Sequence, residues 1–257
     1  MILEYKGINV FYTDQGQGTA IILLHGFLEN HKMWHAFLPE LTKKNRVICI
    51  DLLGHGKTDC LGYIHSMEEM AEMVHAVLKH LRLRKYYMLG HSMGGYIALA
   101  YAEKYTETLK GVCLLNSTYK ADDAERKQLR VRANKMIQTN FNNMVRMSFA
   151  NLFSEKSKVL YKTAFDAALK EALKTPLQGY IACQEGMRLR PDRQKLFSSL
   201  TCKKLLIAGK NDPVVDAENL VEETKNTQIK TVVLSEGHMS HIENYKMCLE
   251  EIMHFIE

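Results

Sequence analysis

A serine set among glycines, a later aspartate and a still later histidine are the residues in this chain whose types and spacing could do chemistry. The serine is Ser92, in Gly90-His91-Ser92-Met93-Gly94 with Gly95 following. The apolar run Tyr86-Tyr87-Met88-Leu89 before it reads as a short buried strand. Tyr96 to Tyr105 after it reads as a helix, with Ile97, Leu99 and Ala100 among its apolar positions. A Gly-x-Ser-x-Gly between strand and helix predicts a nucleophile elbow. The chain must reverse at the serine, which strains that residue, and only glycine on either side lets strand and helix pass so closely. The turn lifts the hydroxyl clear of the sheet. It also leaves the N–H of Met93 at a helix N-terminus, where it can face a developing oxyanion.

An attacking serine needs a base, an acid and a second oxyanion donor. In open parallel sheets such groups collect beyond the carboxyl ends of the strands. After the apolar run Lys204 to Ala208 comes Gly209-Lys210-Asn211-Asp212-Pro213, and after Ile229 to Leu234 comes Ser235-Glu236-Gly237-His238-Met239-Ser240-His241. The order Ser92, Asp212, His238 assigns His238 as the base that takes the serine proton and Asp212 as the group that fixes its tautomer. Asp212 competes with Asp216 and with a plain turn-forming role before Pro213. His238 competes with His241, which could begin or cap the last helix beside Glu243; Gly237 lets the His238 loop approach the sheet closely. The second oxyanion donor is the N–H of Phe27 in His25-Gly26-Phe27, which follows the apolar strand Ala20 to Leu24. His25, Asp51 and His55 read as residues that hold loops by hydrogen bonds. His238-x-x-His241, and His31 with His35, lack a third ligand at metal-site spacing, so neither a metal nor a cofactor is expected.

The elements that must position these groups follow a rhythm of strand, loop and helix. Ile2 to Lys6 and Asn9 to Thr13 pair as a hairpin at Gly7. Ala20 to Leu24, Val47 to Ile50 and Gly111 to Leu115 are short apolar strands. A helical segment is expected around Met33 to Thr42, and Met67 to Leu81 carries apolar residues at helical spacing. Continuous apolar strands imply a mostly parallel sheet covered on both faces. From about Thr118 to Pro191 the rhythm gives way to helical sequence rich in Met, Phe and charge. Strands then return, and Tyr245 to Ile256 reads as a closing amphipathic helix.

At 257 residues the chain is long enough for one α/β domain with an insertion, and 46% hydrophobic with 25% charged is the balance of a globular protein. The net charge of +5 is dispersed among acidic residues, and no motif for nucleic acid accompanies it. No apolar run reaches the ~18 residues of a membrane span. The six cysteines form no C-x-x-C pair, and with no secretory leader at the start a reduced cytoplasmic location is expected. Oligomeric state is not encoded in any recognisable pattern.

His25-Gly26-Phe27, Asp51 to Thr58, Gly90 to Gly95, Gly209 to Asp212 and Gly237 to Glu243 match, in order, the motifs of the α/β-hydrolase superfamily. The chain resembles its small cytoplasmic carboxylesterases, enol-lactonases and cofactor-free haloperoxidase-like members. The resemblance implies a mostly parallel sheet of about eight strands flanked by helices, with a helical lid inserted after the sixth strand. The core is then 1–117 and 192–257, and the lid 118–191. It implies a serine hydrolase that cleaves a small carboxylic ester, thioester or lactone through an acyl-serine. Alternatives on the same fold are carbon–carbon hydrolysis, an elimination like that of the menaquinone pathway, and a non-catalytic small-molecule receptor. Haloalkane dehalogenases and epoxide hydrolases carry aspartate where this chain has Ser92, and the menaquinone enzyme usually carries arginine where it has Tyr96. Phe27, Met136, Met144 and Met187 are the candidate substrate-binding residues. Arg126, Arg130, Arg132, Arg188 and Arg190 either bind a carboxylate or solvate the lid surface.

Overall fold

The computed structural model describes residues 1–257. Its strands are β1 Ile2–Tyr5, β2 Ile8–Gly16, β3 Thr19–Leu24, β4 Asn45–Ile50, β5 Tyr86–His91, β6 Leu109–Leu115, β7 Lys203–Gly209 and β8 Lys230–Leu234. They form one eight-stranded sheet in the order β1-β2-β4-β3-β5-β6-β7-β8. β1 and β2 are an antiparallel hairpin, β2 lies antiparallel on β4, and the rest run parallel. The central strands carry continuous apolar runs, Ala20 to Leu24, Val47 to Ile50, Tyr86 to Leu89, Gly111 to Leu115 and Leu205 to Ala208, because both faces are covered. Ile22 and Leu24 of β3 enter one core cluster, while Ile21 and Leu23 enter the other, the two-residue period of a pleated strand.

The helices before the insertion are α1 Leu38–Leu41, α2 Met67–His80 and α3 Met93–Tyr105. Ser66 starts α2 by accepting the Glu69 N–H at 3.1 Å, an N-cap of the usual kind. α3 is buried almost throughout and apolar all round, as a helix at the centre of two layers must be. One element differs from expectation. The single helix expected around Met33 to Thr42 is a 3₁₀ turn, His31–Trp34, followed by the separate one-turn α1. Pro39 explains the break, since it has no N–H to continue a helix and is accommodated only in a first turn.

Between β6 and β7 the chain forms α4 Ala124–Met136, α5 Phe141–Ala150, α6 Glu155–Leu160, α7 Lys162–Ala172, α8 Leu177–Leu189 and α9 Gln194–Ser199. α4, α5, α7 and α8 share a core of their own, including Ile137, Val145, Phe149 and Tyr180, which reaches the sheet domain at Leu28 and Met239, while α9 packs Phe197 into the main core. The C-terminal helices are α10 Ala217–Thr224, α11 Ser240–Glu243 and α12 Tyr245–Ile256. The sequence reading does not anticipate α10. Its start is Asp216, whose carboxylate accepts the Asn219 N–H at 3.0 Å, so this aspartate is committed to a cap. No helix is long and apolar enough to cross a membrane.

Candidate active site

Ser92 sits between β5 and α3 at φ 48° and ψ −115°, a left-handed conformation that a non-glycine residue holds only under constraint. The constraint is visible on both sides of the residue. Its N–H donates to Leu115 at the end of β6 at 2.9 Å, and its carbonyl accepts the Gly95 N–H at 2.9 Å and the Ser117 hydroxyl at 2.7 Å. A Cβ on Gly90 would lie 2.2 Å from the Gly94 carbonyl, and one on Gly94 would lie 2.4 Å from the carbonyl oxygen of Leu24. The elbow is therefore wedged against the end of β3.

His238 completes a hydrogen-bonded chain through this serine. Its Nε2 lies 3.0 Å from Ser92 Oγ, and its Nδ1 lies 2.9 and 2.8 Å from the two carboxylate oxygens of Asp212. Asp212 Oδ1 also accepts the N–H groups of Val214 and Val215 at 2.7 and 3.0 Å. Burial by itself would raise the Asp212 carboxyl. The facing His238 and these N–H donors outweigh it and hold the carboxyl below its ordinary range. The carboxylate thus faces Nδ1, which leaves Nε2 free to accept a proton from Ser92. Asp216 takes no part, being the cap of α10, and the histidine hydrogen-bonded to Ser92 is His238, not His241. The His238 loop lies directly on the end of β7, where a Cβ on Gly209 would come within 2.1 Å of the Gly237 carbonyl.

The sequence reading does not single out Asn116. It comes directly after β6 at φ 45°, and its amide donates to Asp212 Oδ2 at 3.2 Å and to the Gly237 carbonyl at 3.1 Å. It braces the aspartate loop and the histidine loop together. Asp212 and His238 are found by inspecting the residues just beyond the strand ends, and the same inspection at β6 finds Asn116.

The loop after β3 supplies a backbone donor. Phe27 belongs to no helix or strand, and no hydrogen bond within the chain engages its N–H. Met93 opens α3, so its N–H has no acceptor in the preceding turn. Around them, histidines hold the loop. His25 Nδ1–H donates to the Gly26 carbonyl at 2.7 Å while its Nε2 accepts the Leu52 N–H at 2.8 Å. His55 Nε2 accepts the Leu28 N–H at 3.1 Å, which supports Leu28 at φ 64°. Burial pushes His55 down to about 3 and lowers His25, in keeping with neutral rings that each donate once and accept once. Asp51 accepts the N–H of His31 at 2.7 Å and that of Lys57 at 2.9 Å.

Ser92 and His238 open into a cavity of about 390 Å³ walled by Phe27, Leu152, Tyr180, Gln184 and Met187, with Tyr96 behind the serine. Of the candidate substrate-binding residues, Phe27 and Met187 line this cavity. Met136 is 54% exposed and Met144 is packed in the core of the insertion, and neither lines it. The spacing of methionines marks helix faces but not which face meets the cavity. Arg126 and Arg130 stand at its edge. Arg126 donates to the Val214 carbonyl at 2.9 Å, and Arg130 to Asp122 at 2.5 Å and to Gln184 at 2.6 Å. Arg190 is buried rather than solvating: it pairs with Asp122 at 2.7 Å and lies 3.9 Å over the Tyr96 ring. Arg132 and Arg188 line a shallow hollow elsewhere on the insertion. A larger cavity of about 530 Å³ shares Leu28 with the first but contains none of Ser92, Asp212 and His238.

One cluster escapes any spacing rule because its members come from the loop after β3, the end of β5 and the short helix α11. Glu29, His91 and His241 bring ligand-type atoms within 4.8 Å of one another in a fully buried position. Both ring nitrogens of His91 already face hydrogen-bond acceptors, Glu29 Oε2 at 2.7 Å and the His238 carbonyl at 3.0 Å. A metal ion would have to break those bonds, so the cluster is better matched to proton-mediated contacts.

Known proteins with this architecture and sequence pattern are numerous. A thermophilic esterase from Thermogutta terrifontis, solved with malate bound, superimposes with a TM-score of 0.91 at 28% identity, covering 98% of this chain and 95% of that one. The (E)-2-((N-methylformamido)methylene)succinate hydrolase of Acinetobacter baylyi is 23% identical over 90% of this chain and 88% of its own length. The 3-oxoadipate enol-lactonase 1 of the same organism is 24% identical over 98% and 94%. The family model for the alpha/beta hydrolase fold matches residues 19–245, and the chain belongs to that family.

Proposed function

We propose that this protein is a serine hydrolase that cleaves a small carboxylic ester, thioester or lactone. The observation that carries the reading is the hydrogen-bonded chain from Ser92 through His238 to Asp212, with Ser92 and His238 lining a cavity. Ser92 Oγ attacks the carbonyl while His238 Nε2 takes its proton, and Asp212 stabilises the imidazolium. The N–H groups of Phe27 and Met93 bind the oxyanion, each worth about 2.7–4 kcal/mol of transition-state stabilisation. His238 then returns the proton to the leaving oxygen or sulfur. A water deprotonated by the same ring releases the acid from the acyl-serine. No cofactor is required for these steps.

Residues 118–191 act as the lid over the core formed by 1–117 and 192–257. Phe27, Leu152 and Met187 give the cavity an apolar wall for the acyl or alcohol portion. The names of the relatives support small carbonyl substrates, one being called a succinate-derivative hydrolase and another an enol-lactonase. Six free cysteines suit a reducing, cytoplasmic compartment.

The test is a p-nitrophenyl ester series from acetyl to octanoyl, with a thioester and a lactone beside it, on wild type and Ser92→Ala. An acyl burst and fluorophosphonate labelling that both vanish in Ser92→Ala are expected. A serine that labels while every ester, thioester and lactone stays inert would move the assignment to carbon–carbon cleavage or elimination. An unlabelled serine would point to a receptor.

A further inference from the structure

The cluster beside the catalytic histidine is built on His91, the residue before the nucleophile. Its ring is buried, with the His238 and His241 ring centroids each 5.2 Å away. Nε2 faces the backbone carbonyl of His238 at 3.0 Å. A carbonyl has no proton to give, so Nε2 must carry one. Nδ1 faces Glu29 Oε2 at 2.7 Å. That same oxygen accepts the Gly26 N–H at 2.7 Å, which favours the carboxylate and leaves the shared proton on the imidazole. One ring therefore links two loops: the loop bearing Phe27, through Glu29 and Gly26, and the loop bearing His238, through its carbonyl.

We propose that Glu29 and His91 form a buried carboxylate–imidazolium strap that holds the Phe27 loop and the His238 loop in register on Ser92, with His91 acting as a positioning residue only while doubly protonated. The proposal rests on the serine-hydrolase reading for its kinetic consequences and on geometry alone for the protonation state. A neutral His91 has a single N–H for two acceptors. Whichever acceptor loses it meets a lone pair, and one of the two loops is released.

The groups facing His91 agree with this state. Burial alone would lower it, but the Glu29 carboxylate raises it above the ordinary histidine value, with smaller help from the His238 carbonyl and Asp212. Burial likewise would raise Glu29, and His91, His241 and His25 bring it down to about 2. His241 does not compete for the proton, since burial pushes it down to about 4. Its Nε2 is 3.6 Å from Glu29 Oε1, beyond hydrogen-bond reach. With Glu29 lowered and His91 raised, the strap is kept at acid and neutral pH and opens as pH rises through the raised value of His91.

Glu29→Gln removes the charge and keeps the shape. The amide oxygen still accepts the Gly26 N–H and His91 Nδ1–H, but the counterion that kept the second proton is gone. The link to the His238 carbonyl then survives only at low pH. Acylation of wild type and Glu29→Gln by p-nitrophenyl acetate is measured by stopped flow from pH 5.5 to 9. At pH 8 a loss of roughly 10- to 100-fold in acylation rate is expected, with KM within about threefold, the scale of a misplaced catalytic group. The wild-type-to-variant ratio cancels titrations common to both proteins, and it should shrink as pH falls. A ratio near one, or one flat with pH, overturns the strap. Independently, long-range ¹H–¹⁵N spectra of ¹⁵N-histidine-labelled wild type should show His91, assigned by its loss in His91→Gln, with both ring nitrogens protonated at pH 7. A singly protonated ring overturns the proposal even if Glu29→Gln does not fold. Should wild type fail to acylate at all, the hydrolase reading falls while these spectra still decide the strap.

Discussion

Replacing Asp212 by asparagine tests the proposed mechanism at the atom where it is most exposed. The amide has one acceptor and one donor, and the surroundings decide which goes where. At the Oδ1 position two backbone donors converge, the N–H groups of Val214 and Val215 at 2.7 and 3.0 Å. Backbone cannot turn away, so an NH₂ placed there meets two donors and costs two hydrogen bonds. The amide oxygen must take that position, which sends NH₂ to the Oδ2 position, 2.8 Å from His238 Nδ1. The Oδ1 position is also 2.9 Å from Nδ1 but is taken up by its two backbone donors, so that nitrogen accepts from the NH₂ instead of donating, and the ring proton moves to Nε2, 3.0 Å from Ser92 Oγ. A protonated Nε2 cannot take the serine proton. Asn116 loses its acceptor at 3.2 Å as well, so its brace between the two loops weakens. A tautomer locked the wrong way in a site of this kind lowers kcat about 10⁴-fold, or ~5.4 kcal/mol at 1.36 per decade. The assay is the acyl burst with p-nitrophenyl acetate and the rate of fluorophosphonate labelling, with thermal unfolding to confirm the fold. Asp216→Asn is the control. Asparagine caps a helix as well as aspartate does, so that variant should act and melt like wild type. If Asp212→Asn acylated within tenfold of wild type, or Asp216→Asn were the slower enzyme, the assignment of the acid would be wrong.

The geometry sets three further outcomes. Gly94→Ala forces a methyl to 2.4 Å from the Leu24 carbonyl oxygen and 2.7 Å from that of His25; backbone must shift, so denaturant unfolding should show a loss of about 1–3 kcal/mol of stability, and labelling of Ser92 should slow with it. His238→Ala should abolish fluorophosphonate labelling, whereas His241→Ala, which changes a ring outside the Ser92–His238–Asp212 chain, should label within a few-fold of wild type; equal losses would undo the choice between the two. Stability should fall as pH drops from about 6.5 toward 4, because burial holds His55 at about 3 and His65 and His241 at about 4, so the unfolded chain binds more protons there. The raised His91 works in the other direction, stabilising at low pH and losing that contribution as pH rises through its folded value; a melting temperature flat from pH 7 to 4 would contradict the buried neutral histidines.

The parallel part of the sheet is legible in the sequence because its central strands carry uninterrupted apolar runs of four or five residues. Each of β3, β5 and β6 is bounded by a residue type that ends a strand, and the groups found at Ser92, Asp212 and His238 lie just beyond strand ends. Legibility fails where local pattern and tertiary demand part. α10 is short and amphipathic, and its signal is a single capping aspartate that also resembles a catalytic candidate. Met144 sits on a plainly amphipathic helix and Met136 ends a polar one, and for both the face that meets the cavity is set by how α4, α5 and α8 pack. Glu29 and His91 are 62 positions apart, and no one-dimensional spacing relates them.

The segment from His25 to Lys32 shows why chemistry here depends on more of the chain than the elbow motif. His25 and His31 tie it to the turn after β4, through the Leu52 N–H at 2.8 Å and Asp51 at 2.9 Å. Glu29 ties it to β5. Asn30 and Lys32 tie it to the insertion, both reaching Glu171 of α7, at 3.2 and 3.0 Å. The Lys32 contact is exposed and worth at most about 1 kcal/mol, but Asn30 is buried at the base of the loop. Phe27 and its unengaged N–H are held in the middle of these ties. An oxyanion donor is useful only if it is fixed before charge develops, and a two-residue excursion beyond a strand has no rigidity of its own. The rigidity comes from His25, kept neutral by burial and both donating and accepting, from the His31–Asp51 bond, and from carboxylates that accept the N–H groups around them. A polar framework of that kind explains why so many titratable side chains lie buried near Ser92 while only His238 and Asp212 join it in a hydrogen-bonded chain.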